Sequence, residues 1–255
     1  MKFLMCAKTD VGIVKDINQD CLSVMELETC LGGMVFAVLC DGMGGLAQGE
    51  VASANVVRAF RRWALESLPE LCQSELDEES IRVDWERIIQ DQNASIREYG
   101  MQLGARMGTT AVVMLLTQQR YYIMNVGDSR AYELRAGLRQ ITNDHSYVAR
   151  EVALGNIRPE DAEHHPKRNV LLQCVGASSL VRPDMFSGSI AENTVYMLCS
   201  DGFRHELTTG EIFESCAPEA LANEAAMEMK AGVLIELVKQ RRERDNISLV
   251  LVKVC

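Results

Sequence analysis

Two phrases constrain this chain more than anything else in it: VLCDGMGG at residues 38–45 and LCSDG at residues 198–202. In each, an unbroken apolar run of the kind that forms a buried strand stops abruptly at Asp-Gly. An aspartate delivered by the end of a rigid strand is well placed to hold a metal. Asp-Gly is also the favoured two-residue turn of a β-hairpin, so either phrase taken alone reads first as a turn. Three further aspartates join the set: Asp20 just before CLSVM, Asp128 within GDSR, and Asp245 just before ISLVLV. Hard divalent cations take oxygen ligands from several carboxylates, often completed by a backbone carbonyl and waters. Glycine at position 42 would let a carbonyl approach such an ion closely. The five phrases are chemically coherent, and their spacing leaves open whether they converge.

The order of elements narrows the fold. KFLMCAKTD, CLSVMEL and MVFAVLC read as strands, with a Gly-Gly turn at 32–33. A helix follows the glycine-rich phrase, with Ala52, Val56, Phe60 and Trp63 as one buried stripe and Pro69 as its end. After the acidic connector ELDEES, a second helix places Trp85, Ile88, Ile89, Ile96, Tyr99 and Leu103 on one side. TAVVMLL, RYYIMNV and RAYELR return to strands, with GDSR predicted as a hairpin turn between the last two. Residues 143–169 are polar and irregular, with helical pieces ending near Gly155 and starting at Pro159. TVYMLCS resumes the sheet, Thr208 and Glu211 form a capping box, helix runs to about Arg242, and ISLVLVKV closes. Strands and helices do not alternate as βαβα. The pattern predicts an α+β domain of largely antiparallel sheets with helices packed outside.

Composition excludes several classes. The chain has 255 residues, enough for one large domain, with no internal repeat and no long linker. A net charge of −10 argues against a nucleic-acid or anionic-membrane surface. Nine scattered cysteines without CxxC predict buried thiols in a reducing compartment, not a disulfide framework or a zinc knuckle. No segment approaches the roughly 18 apolar residues of a membrane span, and the N-terminal apolar stretch is too short for a signal peptide. The expected location is the cytoplasm.

Eight phrases then occur in a distinctive order: TDVGIVKDINQD, VLCDGMGG, GTT at 108–110, VGDSRAY, DHS at 144–146, HPKRN at 165–169, LCSDGF and RDNISLVLV. Over essentially its whole length the chain resembles the metal-dependent protein Ser/Thr phosphatases of type 2C, the PPM family, in their bacterial form. The resemblance implies a single catalytic domain over residues 1–255, with a flap at about 143–175. Its fold would be a central antiparallel β-sandwich flanked by helices on both faces, an αββα four-layer sandwich. It implies two Mn²⁺ or Mg²⁺ ions, with Asp41 bridging both, the Gly42 carbonyl on one, and Asp201 and Asp245 on the other. Asp20 would orient metal-bound water, and Asp128 with Asp201 matches the place of a third, weaker ion. Asp41, Asp201 and Asp245 are then the catalytic set. The implied reaction is hydrolysis of phosphoserine and phosphothreonine monoesters by in-line attack of a metal-activated water. Substrates would be phosphoproteins, those of a Ser/Thr kinase, and the enzyme a monomer without nucleic-acid or membrane partners. The sequence has no Cys-x5-Arg phosphate loop to suggest a cysteine nucleophile.

Departures from the family pattern matter as much. Lys15 stands where the family usually has an arginine that grips substrate phosphate, and an ammonium cannot make a bidentate fork. Gln173 replaces an arginine common after the HPxRN phrase, and Met43 takes the place of a histidine proposed as general acid in eukaryotic relatives. His164 and His165 lie in the flap segment, where a packing role is expected, and His145 and His205 have no ligand partner at recognisable spacing. An alternative class remains: a catalytically weak module that uses the same fold to recognise phosphoproteins, or a phosphatase dedicated to one regulatory partner.

Overall fold

Strands that are apolar at every position need cover on both faces, and the computed structural model supplies it with two stacked sheets and helices outside each. It describes residues 1–43, 48–74, 76–162 and 164–255. Gly44 and Gly45 of the first Asp-Gly phrase lie outside the described residues, as does Glu75 of the acidic connector. The first half of the chain contains β1 (Phe3–Asp10), β2 (Cys21–Thr29), β3 (Gly32–Cys40), α1 (Gly49–Gln73), α2 (Glu78–Gln102), β4 (Ala111–Leu116) and β5 (Arg120–Val126). Then come β6 (Arg130–Leu134), β7 (Leu138–Gln140), α3 (Tyr147–Ala153), α4 (Pro159–Ala162), β8 (Asp184–Ser189) and β9 (Thr194–Cys199). The chain ends with α5 (Asp201–Arg204), α6 (Thr209–Cys216), α7 (Glu224–Gln240) and β10 (Ile247–Val254). One sheet has the order β1-β10-β9-β6-β7 and the other β2-β3-β4-β5-β8, with antiparallel pairing throughout.

Strand alternation distributes the apolar residues over three cores. In β3, Met34, Phe36, Val38 and Cys40 face α1 and α2, where they meet Phe60, Trp63 and Trp85. The intervening Val35, Ala37 and Leu39 face the other sheet, against Leu198, Val250 and Val252. On the far side, Met197, Leu249 and Leu251 pack with Leu234 and Val238 of α7. These three cores make the four layers of the expected αββα sandwich. Helix, sheet, sheet, helix: the predicted α+β class holds, with both faces covered.

Several local expectations are corrected. GDSR is not a hairpin turn, because β5 and β6 belong to different sheets; it is the crossover between them. The first hairpin turns at Cys30 and Leu31 while Gly32 already pairs with Thr29, whose hydroxyl accepts from Leu31 N–H and donates to the Gly32 carbonyl. Pro69 does not end α1: Leu68 and Cys72 are both buried, so the apolar stripe continues past the proline and packing offsets the lost backbone bond. In α2 the buried positions are Ile81, Trp85, Ile89, Asn93, Ile96 and Gly100, while Tyr99 and Leu103 are exposed. The short edge strands β7 and β8 carry weak apolar alternation and owe their form to pairing with β6 and β5. The capping box at Thr208 and Glu211 is present, as are helical pieces before Gly155 and from Pro159.

The α2 correction is testable. Ile96→Ala should cost about 2–5 kcal/mol in urea unfolding, and Tyr99→Ala should stay within ~0.5 kcal/mol. Equal losses would mean that α2 buries a different face.

Candidate metal centre

Antiparallel registers bring the aspartate phrases to one pole of the sandwich. Cys21 pairs with Cys40, so Asp20, before β2, lies beside Asp41, after β3. Leu249 pairs with Cys199, which sets Asp245, before β10, near Asp201, after β9. Leu39 pairs with Val112, and Ala111 with Val126, which carries the end of β5 and Asp128 to the same pole. Neither Asp-Gly phrase is a hairpin turn. Asp41 leads into an extended Gly42 that bridges to Thr109, and Asp201 opens α5.

The glycines after these aspartates are required by contact. A Cβ on Gly42 would stand 2.5 Å from the carbonyl oxygens of Gln19 and Gly49, and one on Gly202 would stand 2.2 Å from the Asn246 carbonyl oxygen. Each lets one aspartate-bearing loop press on another. The GTT phrase fixes Asp41: its N–H donates to Thr110 Oγ1 at 2.9 Å, and its carbonyl accepts from Thr109 Oγ1 and Thr110 N–H, both at 2.9 Å. Thr110 Oγ1 in turn bonds Ser129 Oγ at 2.7 Å, tying GTT to GDSR. Arg130 forks Asp144 of the DHS phrase, with Nε–Oδ1 and Nη2–Oδ2 both 2.8 Å.

The electrostatics of the pole are those of crowded like charges. Burial, then the charges of Asp20, Asp201, Asp128 and Asp245, hold the Asp41 carboxyl well above the usual carboxylate range. Asp20 is pushed up to about 7, by burial first and by Asp201 and Asp245. Asp128 also reaches about 7, by burial and Asp201, although the nearby Arg204 guanidinium pulls the other way. The other four predicted aspartates all act on Asp41, so the five share one pole. Both carboxylate oxygens of Asp20 and Oδ1 of Asp201 are buried without a hydrogen-bond partner. The hydroxyls of Ser248 and Ser200 come near Asp20 but bond elsewhere, Ser248 with Thr9 Oγ1 at 2.8 Å and Ser200 with the Ser248 carbonyl at 3.4 Å. Orphaned anionic oxygens of this kind fit a divalent cation as their missing partner. Among the described residues, no three His, Cys, Asp or Glu side chains are grouped closely enough to hold a metal ion as they stand.

Lys15 reaches the same pole, with Nζ 3.3 Å from Asp245 Oδ1. Gln173 anchors the end of the flap segment: its Nε2 meets His145 Nδ1 at 2.7 Å and the Arg182 carbonyl at 2.8 Å, and its Oε1 accepts from Arg182 N–H. His165 stacks on Tyr147, a packing role as expected. A cavity of about 980 Å³ is lined by flap residues such as Val148, Val152, Leu172 and Leu180, with none of the five aspartates in its wall. A smaller one of about 280 Å³ is lined by Asp128, Arg204 and His205, and it is this one that opens beside the chemistry.

Sequence reasoning missed four residues here. Asn246 is buried, accepts from Gln19 N–H at 2.9 Å, and donates to the carbonyls of Val11 and Ile17, so it staples the Lys15 loop to the start of β10. It stood inside the quoted RDN phrase. Arg204 donates to the Asp128 carbonyl at 3.2 Å. His205 lies between Asp201 and the buried Glu243. Burial works against its charge, but Glu243 and Asp201 outweigh that and raise its pKa. Nothing in the spacing of these three flagged them.

An antiparallel sandwich with helices on both faces, with crowded aspartates at one pole and three of their buried oxygens unpaired, has the donor chemistry of a divalent-cation site. Comparison with known proteins gives the family. The protein phosphatase 2C family model matches residues 14–234. The serine/threonine phosphatase stp of Listeria monocytogenes is 34% identical over 251 residues, which cover 96% of this chain and 94% of that protein. Mycobacterium tuberculosis PstP is 30% identical over 97% of this chain and 44% of its own length. Among solved structures, the Streptococcus agalactiae serine/threonine phosphatase superposes with a TM-score of 0.83 at 28% identity, covering 100% of both chains. The catalytic domain of PstP in complex with two manganese ions superposes at 0.77 and 28% identity, also over 100% of both. The chain belongs to the protein phosphatase 2C family, and it is an enzyme of the phosphatase class.

Two outcomes follow from the geometry. Because Asp20, Asp41 and Asp128 bind protons more tightly folded than unfolded, stability of the metal-stripped protein should fall as pH rises from about 4 through about 7. Added Mn²⁺ should restore it at pH 7. Thermal unfolding across that range reads both, and a stripped protein whose melting temperature does not drop would contradict the crowded-carboxylate picture. Separately, Gly202→Ala should destabilise the fold by about 2 kcal/mol or more, since the new methyl meets backbone rather than a yielding side chain; unchanged stability would refute the close approach.

Proposed function

We propose that this protein is a Mn²⁺- or Mg²⁺-dependent protein phosphatase that hydrolyses phosphoserine and phosphothreonine monoesters. The observation that carries the proposal is the convergence of Asp20, Asp41, Asp128, Asp201 and Asp245 at one pole with oxygens left unpaired. Asp41, the Gly42 carbonyl, Asp201 and Asp245 would hold the cations, with Asp20 behind them to orient bound water. Asp128 with Asp201 is the place for a third, weaker ion, where Arg204 already offsets part of the charge. When bound, the cation pair supplies an activated water and offsets charge developing on the phosphoryl oxygens.

The chain's own residues do the rest. Thr109 and Thr110 hold the Asp41 backbone, and Asn246 holds the loop that carries Lys15. Lys15 grips the substrate phosphate as a point charge. Its partner in the structure is Asp245, at 3.3 Å, which keeps its ammonium at the pole where the phosphate would bind. Residues 1–255 work as one catalytic domain, with the segment at about 143–175 as its flap. The expected setting is the cytoplasm, as a monomer acting on phosphoproteins made by a Ser/Thr kinase. No helix among the described residues is long and apolar enough to cross a membrane.

Phosphate release from p-nitrophenyl phosphate and from a phosphothreonine peptide tests this directly. Turnover should require Mn²⁺ or Mg²⁺, stop with chelator, and fall by about a hundredfold or more in Asp201→Asn. Wild-type inactivity with every divalent metal would leave a phosphoprotein-binding module in its place. Lys15→Arg should lower KM by several-fold, on the order of the gain from a bidentate over a point contact; an unchanged KM would remove Lys15 as the phosphate anchor.

A further inference from the structure

Asp201 and Asp245, read above as ligands of one cation, are joined through two side chains that the catalytic assignment leaves unused. His205 lies one helical turn beyond Asp201, its N–H bonded to the Asp201 carbonyl at 3.0 Å. That turn brings His205 Nε2 to 3.7 Å from Asp201 Oδ2. The other ring nitrogen, Nδ1, lies 3.6 Å from Glu243 Oε2. Glu243 uses its remaining oxygen on the backbone, Oε1 accepting from Arg244 N–H at 2.7 Å and from Asp245 N–H at 3.0 Å. The connection thus runs from the carboxylate of one aspartate to the peptide group of the other.

Burial makes the arrangement costly to keep without a role. The Glu243 side chain is only 9 % exposed, and a carboxylate so placed needs partners to offset its lost hydration. A histidine kept for packing would not need one behind it. The division of labour on Asp201 is equally telling: Oδ2 faces His205, while Oδ1 is buried with no partner. One oxygen faces the imidazole at ion-pair distance and the other has no hydrogen-bond partner.

We propose that His205 and Glu243 are positioning residues for the cation shared by Asp201 and Asp245. His205 steadies one oxygen of Asp201 and leaves the other for the metal, and Glu243 locks the Asp245 loop to that histidine. The inference rests on the metal assignment made under the proposed function. Outer partners of metal ligands are worth about 10–100-fold in metal affinity, and a pair acting in series is non-additive.

Isothermal titration of metal-stripped protein with MnCl₂ reads the effect without turnover. His205→Ala and Glu243→Ala should each weaken at least one Mn²⁺ by about tenfold or more, and the double variant should lose no more than the worse single one. His205→Gln, which keeps a donor toward Asp201, should recover most of the affinity. In assays, the Mn²⁺ concentration for half-activation should rise while KM for p-nitrophenyl phosphate at saturating Mn²⁺ holds within about twofold. Should an alanine variant fail to fold, Glu243→Gln, nearly the same shape without the charge, decides by the same titration with a several-fold loss expected. Wild-type Mn²⁺ affinity in these variants, or additive losses in the double, would overturn the proposal alone. A wild-type protein that binds no Mn²⁺ would overturn the metal assignment and this proposal together.

Discussion

Carboxylates crowded together repel one another, and this protein holds five of them at one pole of a rigid sandwich, Asp20 and Asp128 buried and the other three half-buried. The repulsion is visible in Asp41, whose carboxyl is held far above its usual range by burial and by four neighbouring aspartates. Among the described residues the relief is local: Lys15 meets Asp245, and Arg204 lies near Asp128. What keeps the carboxylates in place is the core beneath them. β3, β9 and β10 are buried along nearly their whole length, and their apolar side chains alternate between the space separating the sheets and the helices outside. Moving an aspartate away from the pole would drag an apolar strand end with it, and each buried Val or Leu withdrawn from water is worth about 1.5–3 kcal/mol.

Glycine contacts convert that confinement into a defined arrangement. Gly42 passes between the carbonyls of Gln19 and Gly49, and Gly202 presses on Asn246. At each point a side chain would force apart two loops that carry acidic groups. The hydroxyls of Thr109 and Thr110 and the Thr110 N–H then saturate the Asp41 backbone, with Ser129 behind Thr110, so its orientation does not depend on its carboxylate. The carboxylates are left to do one thing. Asn246 performs the corresponding task for the Lys15 loop, binding backbone groups of Val11, Ile17 and Gln19 from a single buried amide.

Much of this was legible in the amino-acid sequence, and the part that was not has physical causes. The apolar runs before Asp41 and Asp201 announced buried strands, and the α+β class followed from their order. Periodicity placed Ala52, Val56, Phe60 and Trp63 correctly because all four bury against β3 and α2. It misplaced Tyr99 and Leu103 because the last turns of α2 lie at the rim, where an apolar residue carries no information about direction. GDSR looked like a hairpin because local sequence cannot say that the chain changes sheets there. His205 and Glu243 are 38 residues apart in numbering, and only tertiary contact between α5 and the start of β10 makes them neighbours. Motif order singled out the five aspartates, while Arg204, His205 and Glu243 beside them had no linear signature.

The origin of the five aspartates also bears on stability. Asp20 and Asp41 hang from the sheet that contains β2 and β3, and Asp201 and Asp245 from the sheet that contains β9 and β10. Asp128 sits on the crossover between the two. Side-chain packing in the shared core holds the sheets face to face, but it does not fix one sheet's strand ends against the other's as a directional bond would. A cation held by both Asp41 and Asp201, as proposed, would be such a bond. Binding it would replace repulsion across the sheet interface with attraction, and by linkage would stabilise the folded chain by about 2.7 kcal/mol at a hundred times its dissociation constant. The same ion that serves the chemistry would then also tie the two halves of the sandwich together at the pole where the carboxylates push them apart.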